Sequence, residues 1–323
     1  MSPSFGNVVD ALRQNDPSLT SLLLLNNSLN DKHRRQRVAK ALENTTCPIS
    51  HVCLAKNQLG KEGIMELLQA VKKTHVEDLD FFDNDIGDEG ALELGKCIAN
   101  HFGQSLKRIN LSNNQIGDKG ATEIAKQLAK CPKLSNLDLT RNSISCQGAA
   151  AIARELLEQS SSSSSLQYLA LTHNQIGDEG AARIGLGLAS NKSLQKLDLA
   201  FNRFGNKGLE GLGQGLCENS TLRVLWVHSN ALLTRTGVAA FSSSLSRNTC
   251  LESFLCDKYD LRIKFYLYRN RLGLWKLLMD TPSLLPIVLS TSLAKYEGMD
   301  LCFDLVRNNP TLFANPSKQQ LPC

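Results

Sequence analysis

Residues 106–116 read LKRINLSNNQI. Apolar side chains stand at Leu106, Ile109, Leu111 and Ile116, with Asn114 just before the last: LxxLxLxxNxI. The frame returns upstream at Leu19/Leu22/Leu24/Asn27, Ile49/Val52/Leu54/Asn57 and Val76/Leu79/Phe81/Asn84. Downstream it returns at Leu134/Leu137/Leu139/Asn142, Leu166/Leu169/Leu171/Asn174, Leu194/Leu197/Leu199/Asn202 and Leu222/Leu225/Val227/Asn230. Eight copies share one frame, and the asparagines are spaced by 30, 27, 30, 28, 32, 28 and 28 residues. A ninth copy, Leu251/Phe254/Cys256, carries Tyr259 where the asparagine belongs. A period of this length means one supersecondary unit per repeat, stacked so that neighbours bury each other's apolar face.

Each part of the unit has a physical reading. Leu-x-Leu is a short strand whose alternate residues point one way. An asparagine side chain both donates and accepts, so it can bond backbone groups of its own turn and of a neighbouring one. Asn27, Asn57, Asn84, Asn114, Asn142, Asn174, Asn202 and Asn230 are therefore expected to form a ladder that pairs buried loop amides. The following octets, DNDIGDEG (83–90), NNQIGDKG (113–120) and HNQIGDEG (173–180), invite a calcium reading. A calcium loop counted from Asp83 would need an oxygen ligand at the fifth place, glycine at the sixth and glutamate at the twelfth. Those places hold Gly87, Asp88 and Leu94. The place of Asp88 is taken by Lys61, Cys146 and Asn206 elsewhere, so the octet is a corner between strand and helix and no metal is expected. Gly87, Gly117 and Gly177 are expected at positive φ. Asp88, Asp118 and Asp178 are expected to cap the helices they begin. Gly90, Gly120, Gly180 and Gly208 fall in the first helical turn, where they would let helix and strand approach. Apolar spacing of three and four marks the helices, as in Ala121/Ile124/Leu128 and Leu209/Leu212/Leu216.

The frame and the unit length resemble the leucine-rich repeat of the ribonuclease-inhibitor-like class, over roughly residues 19–261. The resemblance implies an α/β solenoid, a horseshoe with a parallel concave sheet and outer helices. Residues 1–18 are read as an N-terminal capping helix, with Phe5, Val8, Val9 and Leu12 on one face. Residues 262–313 are read as a helical C-terminal cap, loosely similar to those of stand-alone algal and diatom repeat proteins, and 314–323 as a flexible tail. The serine run 160–165 reads as a loop insertion between a helix and the next strand.

Composition narrows the function. The chain has 323 residues, 42% hydrophobic content and a net charge of +5. Its ten cysteines include no CxxC pair, and no apolar run reaches membrane-span length. No signal-peptide layout opens the chain, so cytoplasm is expected, with the nucleus as the other compartment. There is no GxxxxGK[ST], GxSxG or HExxH, and the six histidines lack zinc spacing. GLGQGL (211–216) lies in the helical half of a repeat, without the preceding strand of a dinucleotide site. No cofactor, metal or enzymatic activity is expected.

The remaining surface is the concave sheet face, the usual binding face of solenoids. Its outward row is expected to be Leu23, Cys53, Asp80, Asn110, Asp138, Ala170, Asp198, Trp226 and Leu255. Candidate partner-binding residues there are Asp80, Phe82, Asp83, Asp138, Arg141, Tyr168, His173, Asp198, Phe201, Trp226 and His228. Exposed aromatics are the usual anchors of protein interfaces; alternatively, Phe201 and Trp226 pack on each other as filler. Residues 77–93 hold eight acids and no lysine or arginine: either a patch for a basic partner or a solvated face. Basic charge gathers at Lys32, Arg34, Arg35, Arg37 and Lys40 and at Lys258, Arg262, Lys264, Arg269 and Arg271, which suits solvated end helices.

The expected function is a monomeric, non-enzymatic interaction module or scaffold with a protein partner, and neither nucleic acid nor membrane. Two other readings use the same repeat class. One is a GTPase activator resembling Ran GTPase-activating proteins, whose acidic tail is replaced here by NPSKQQLPC (315–323). The other is a sensor arm like that of NOD-like immune receptors. A ribonuclease inhibitor proper is disfavoured, because a net-basic chain matches a basic ribonuclease poorly.

Overall fold

The computed structural model describes residues 5–72, 74–158, 165–258 and 260–271. Residues 160–164 of the serine run, Tyr259, the cap beyond residue 271 and the tail lie outside the described residues.

Helix α1 (Phe5–Arg13) precedes a regular alternation of strands and helices. The strands are β1 (Ser21–Leu23), β2 (His51–Cys53), β3 (Asp78–Asp80), β4 (Arg108–Asn110) and β5 (Asn136–Asp138). They continue as β6 (Tyr168–Ala170), β7 (Lys196–Asp198), β8 (Val224–Trp226) and β9 (Ser253–Leu255). The helices between them are α2 (Lys32–Glu43), α3 (Gly60–Val71), α4 (Gly87–His101) and α5 (Asp118–Leu128). They continue as α6 (Cys146–Ile152), α7 (Asp178–Ser190), α8 (Asn206–Glu218) and α9 (Arg235–Leu245), and α10 (Leu261–Arg271) closes the described chain. The fold is an α/β leucine-rich-repeat solenoid.

All nine strands lie side by side in one parallel sheet in sequence order. Parallel neighbours need a crossover, and each helix supplies one. Register keeps every frame leucine beside its copy: Leu22, Val52, Leu79, Ile109, Leu137, Leu169, Leu197 and Leu225 pair in series. All eight are 0–2% exposed, so the middle residue of each strand faces the core. Val8, Val9 and Leu12 of α1 bury at the N-terminal end of that core. The longest repeat ends its helix in a π-helical stretch, Ala153–Glu158, beside the serine insertion. Such widened turns are the usual way a helix absorbs extra residues.

The asparagines hold the coils together, and they reach backwards. Asn142 Nδ2 donates to Leu139 O of its own coil and to Leu111 O of the preceding one, both at 3.0 Å. Its Oδ1 accepts from Asn114 N at 3.1 Å and Ile116 N at 2.9 Å. Asn57, Asn84, Asn114, Asn174 and Asn202 repeat the pattern. Asn27, at the array's start, reaches with its side chain only Leu25 O among the described residues. Asn230, at the other end, donates to Leu199 O and Val227 O, but its buried Oδ1 has no partner among the described residues.

A second row of asparagines lines the return from helix to strand. Asn191, Asn219 and Asn248 are 1–3% exposed. Each accepts from the frame residue three places on, Leu194, Leu222 and Leu251. Each also donates to the coil before it, at Leu157 O, Leu188 O and Leu216 O.

The corners differ from the expectation in three ways. Positive φ falls mainly on the residue before the ladder asparagine: Asn26, Lys56, Asp83, Asn113, Arg141, His173, Phe201 and Ser229. Gly87 shares it at +61°, but Gly117 and Gly177 are extended, at −96° and −95°. The acids cap the helix of the following coil, not their own. Asp88 Oδ1 accepts from Gly117 N (2.7 Å) and Gly120 N (2.9 Å). Asp118 does the same for Ser145 N and Gly148 N, and Asp178 for Gly205 N and Gly208 N. Finally, the first-turn glycines make room for the preceding corner instead of a strand: a Cβ on Gly120 would sit 2.6 Å from Asp88 Oδ1. The glycines of GLGQGL have a packing role, since a Cβ on Gly215 would meet Gly185 O of α7 at 1.8 Å.

Candidate functional site

The helices cover one face of the sheet and leave the other open. The first and third residues of each strand point to that open face, because side chains alternate along a strand. Asp80, Asn110, Asp138 and Asp198 share the third place. Each turns one side-chain oxygen back to the N–H two residues on, at Phe82 (3.0 Å), Ser112 (3.0 Å), Thr140 (2.8 Å) and Ala200 (2.9 Å). This local turn ends the strand and explains why Asp or Asn recurs there.

The eight acids of 77–93 all have partners. Glu77 pairs with Lys107 (2.7 Å), Asp78 with Arg108 and His51, Glu89 with Lys61 (3.1 Å) and Glu93 with Lys96 (3.0 Å). Asp80 receives Phe82 N and the Cys53 thiol, Asp83 receives Asn113 Nδ2, Asp85 receives Gln115 Nε2, and Asp88 caps α5. Neighbouring coils thus supply cations to Glu77, Asp78 and Glu89, Lys96 of the same helix serves Glu93, and neutral donors hold the other four. Lys107 holds the Glu77 carboxyl below its ordinary pKa, and the hydrogen bond that Arg108 donates to Asp78 raises the guanidinium.

The aromatic candidates gather toward the C-terminal strands. Phe201 is 42% exposed and holds φ at 53°. Its ring stacks on His173 with centroids 4.1 Å apart and meets His228 edge-on at 5.4 Å. Of the two alternatives for Phe201, packing on Trp226 is not what the rings show; the two histidines take that place. Trp226 stands on β8, half-buried, in register with Asp198 on one side and Leu255 on the other. Leu255 is 48% exposed. Tyr168 is half-buried on β6; burial first, then the charges of Asp138 and Asp198, push its hydroxyl above the ordinary range. Two buried polar atoms here, Thr172 Oγ1 and His228 Nδ1, have no partner among the described residues. Phe82, Asp83 and Arg141 lie farther along the face, and Lys56 Nζ sits 5.6 Å from the Phe82 ring centroid. Lys56 is not among the candidates because a lone lysine outside the strand carries no signal of its own; its ammonium is brought to the Phe82 ring only by the stacking of neighbouring coils.

Elsewhere, a cleft of about 360 Å³ opens on the helical side, lined by Cys146, Gln147, Ala150, Arg154, Glu158, Glu179 and Arg183. Among the described residues no group of three His, Cys, Asp or Glu could hold a metal, and no helix is long and apolar enough to cross a membrane. Eight described cysteines are free thiols.

Comparison with known families decides the class. The model described as "Leucine Rich repeat" matches residues 72–95, 104–125, 130–153, 162–185 and 190–213. These five stretches are leucine-rich repeats. Strands β1, β2, β8 and β9 extend the same repeat on both sides of the matched stretches. No curated protein matches the sequence. Among solved structures, the repeat protein is similar to "Leiomodin-1 Actin-Binding Site 2 (ABS2)" at 13% identity and TM-score 0.32, covering 87% of this chain and 98% of that one. It is similar to the Caenorhabditis elegans tropomodulin C-terminal domain at 13% identity and TM-score 0.38, covering 58% and 98%. A TLR13–ssRNA13 complex matches at 17% identity and TM-score 0.41, covering 70% of this chain and 31% of that one. No partner follows from likeness of that size.

Proposed function

We propose that the chain is a non-enzymatic interaction module that takes a partner protein on the open face of its sheet, over β5–β9. The observation that carries this reading is Phe201. Every corner holds the residue before its ladder asparagine at positive φ, and at this corner that residue is a phenylalanine. The corner presents its ring 42% exposed on a rigid sheet, braced by His173 and His228. Preorganised aromatic anchors are what protein interfaces use for most of their affinity. Trp226 and Leu255 carry the apolar surface onward toward the last strand. A helix in every unit and a step of 27–32 residues support the ribonuclease-inhibitor-like class for the module.

Affinity capture from cell extract tests the reading. Wild type, Phe201→Ala/Trp226→Ala and a helix-side control, Arg183→Ala, are compared at equal folded concentration. A partner recovered by wild type and control, and lost with the double variant, is the expected result. Equal recovery on all three places the binding surface elsewhere.

A further inference from the structure

We infer that the cleft between α6 and α7 is a site for a small peptide thiol with two carboxylates and one ammonium, the chemistry of glutathione, which Cys146 holds as a mixed disulfide. The cleft measures about 360 Å³, within the range of small-molecule sites. The repeat explains the space. Counted from the corner, Ala150 of α6 takes the place of Leu92 in α4 and Thr122 in α5. That small side chain lines the cleft, just before the widened turns of Ala153–Glu158.

The charges around the cleft have left the pairing that neighbouring coils keep. In α4 and α5, Glu93 pairs with Lys96 at 3.0 Å and Glu123 with Lys126 at 2.8 Å. In α6 the acid's place is Ala151, and Arg154 stands where the lysine would. Arg154 turns its Nε to Glu155 Oε1 at 2.9 Å, which leaves its outer nitrogens for a ligand. In α7 the two places hold Arg183 and Leu186. Glu179 and Arg183, one turn apart on α7, make no ion pair with any described residue. The cleft therefore offers two guanidiniums to carboxylates and one carboxylate to an ammonium.

The thiol sits at the same place as the capping acids. Cys146 Sγ lies 3.2 Å from where a Cβ on Gly177 would be, as Asp88 Oδ1 lies 3.3 Å from one on Gly117. Gly177 N and Gly180 N, the two donors an acid would serve, have no acceptor among the described residues. Cys146 also lines the cleft, whereas Cys47, Cys97, Cys131 and Cys250 are buried.

Glutathione uses all of these groups at once. Arg154 lies eight residues, ~12 Å, along the helix from Cys146, and its side chain leans back toward the helix start. An extended tripeptide covers ~10 Å. With its sulfur on Cys146, its two carboxylates reach Arg154 and Arg183 and its ammonium reaches Glu179. In the exchange, the Cys146 thiol gives up its proton and its sulfur attacks one sulfur of glutathione disulfide. That disulfide's S–S bond breaks as the new one forms. The other half leaves as a thiolate and takes up the proton, so Cys146 is oxidised and the departing glutathione reduced.

The test treats the whole chain with glutathione disulfide and, in parallel, with uncharged bis(2-hydroxyethyl) disulfide. Modified cysteines are mapped by mass spectrometry, and rates are compared at equal folded concentration. The proteins are wild type, Cys146→Ser, Arg154→Ala/Arg183→Ala and a control of equal charge change on another coil, Lys130→Ala/Lys133→Ala. Glutathione disulfide should modify Cys146 first, and faster than the uncharged reagent by about tenfold or more (about 1.4 kcal/mol). The arginine variant should lose that preference while keeping the wild-type rate with the uncharged reagent, and the lysine variant should retain it. Modification spread over other cysteines, no preference in wild type, or a preference that survives in the arginine variant or falls equally in the lysine variant overturns the site.

Discussion

Asp118→Ala should weaken the helix of the next repeat more than its own. Asp118 is the first residue of α5, yet its Oδ1 accepts from Ser145 N at 2.7 Å and Gly148 N at 2.8 Å, and its Oδ2 accepts from Ser145 Oγ. A hydrogen bond to a charged group is worth ~1.5–3 kcal/mol, and loss of a helix cap costs ~1–2 kcal/mol. The α6 corner is only part-buried, so water replaces some of what is lost. We therefore expect about 2–3 kcal/mol in total, below the sum over bonds. Repeat arrays open locally, so a single melting curve is insufficient. The assay is urea denaturation followed by far-UV circular dichroism, combined with amide hydrogen exchange. Protection should fall at residues 145–149, across the coil boundary, while 119–128 stays near wild type. Asp118→Asn should lose about half as much, since Asn206 holds Thr234 N in the natural chain with a neutral amide. A loss confined to the start of α5 would refute forward capping.

The neighbouring corner offers the converse. Cys146 stands where the capping acid belongs, and no side-chain acceptor reaches Gly177 N among the described residues. Gly180 leaves the same 2.9 Å approach to Cys146 Cα that Gly120 leaves to Asp88 Cα. Cys146→Asp should therefore stabilise by about 1 kcal/mol, read as a higher urea midpoint. Gly215→Ala should destabilise by ~3 kcal/mol or more in the same assay, although alanine normally favours a helix by ~1 kcal/mol. The sign reverses because the methyl would meet Gly185 O at 1.8 Å. Burial pushes the Cys97 and Cys131 thiols up to about 11 from 9.0. The unfolded thiols ionise first, so this contribution to stability is intact below pH 9 and lost as pH rises through about 11. Cys97→Ala/Cys131→Ala should flatten the fall of the urea midpoint over that range.

The repeat was legible because it is written eight times. Any one copy of the frame is weak, but register follows once leucines recur at a fixed spacing. What lay hidden depends on which coil a side chain serves. Sequence places Asp118 at its own helix start; only the stack shows its carboxylate beneath the next one. The acidic run of 77–93 misleads for the same reason, since Lys107 and Arg108 are 30 residues away from Glu77 and Asp78 along the chain. The row of Asn191, Asn219 and Asn248 did have a signal, in NKSL, NSTL and NTCL three places before a frame leucine. That signal covers three coils and is easily passed over. On the open face, alternation alone gave the outward row, including Asp198 and Trp226. Burial of Asp198, the bracing of Phe201 by histidines and the orphaned Thr172 hydroxyl required the packed strands.

The central physical claim is that the ladder asparagines bind each coil to the one before it. Amide exchange in Asn142→Ala against wild type tests this most directly. Asn114 N and Ile116 N, both accepted by Asn142 Oδ1, should lose protection one coil upstream. Protection lost only within residues 140–150, with Asn114 and Ile116 unchanged, would contradict it.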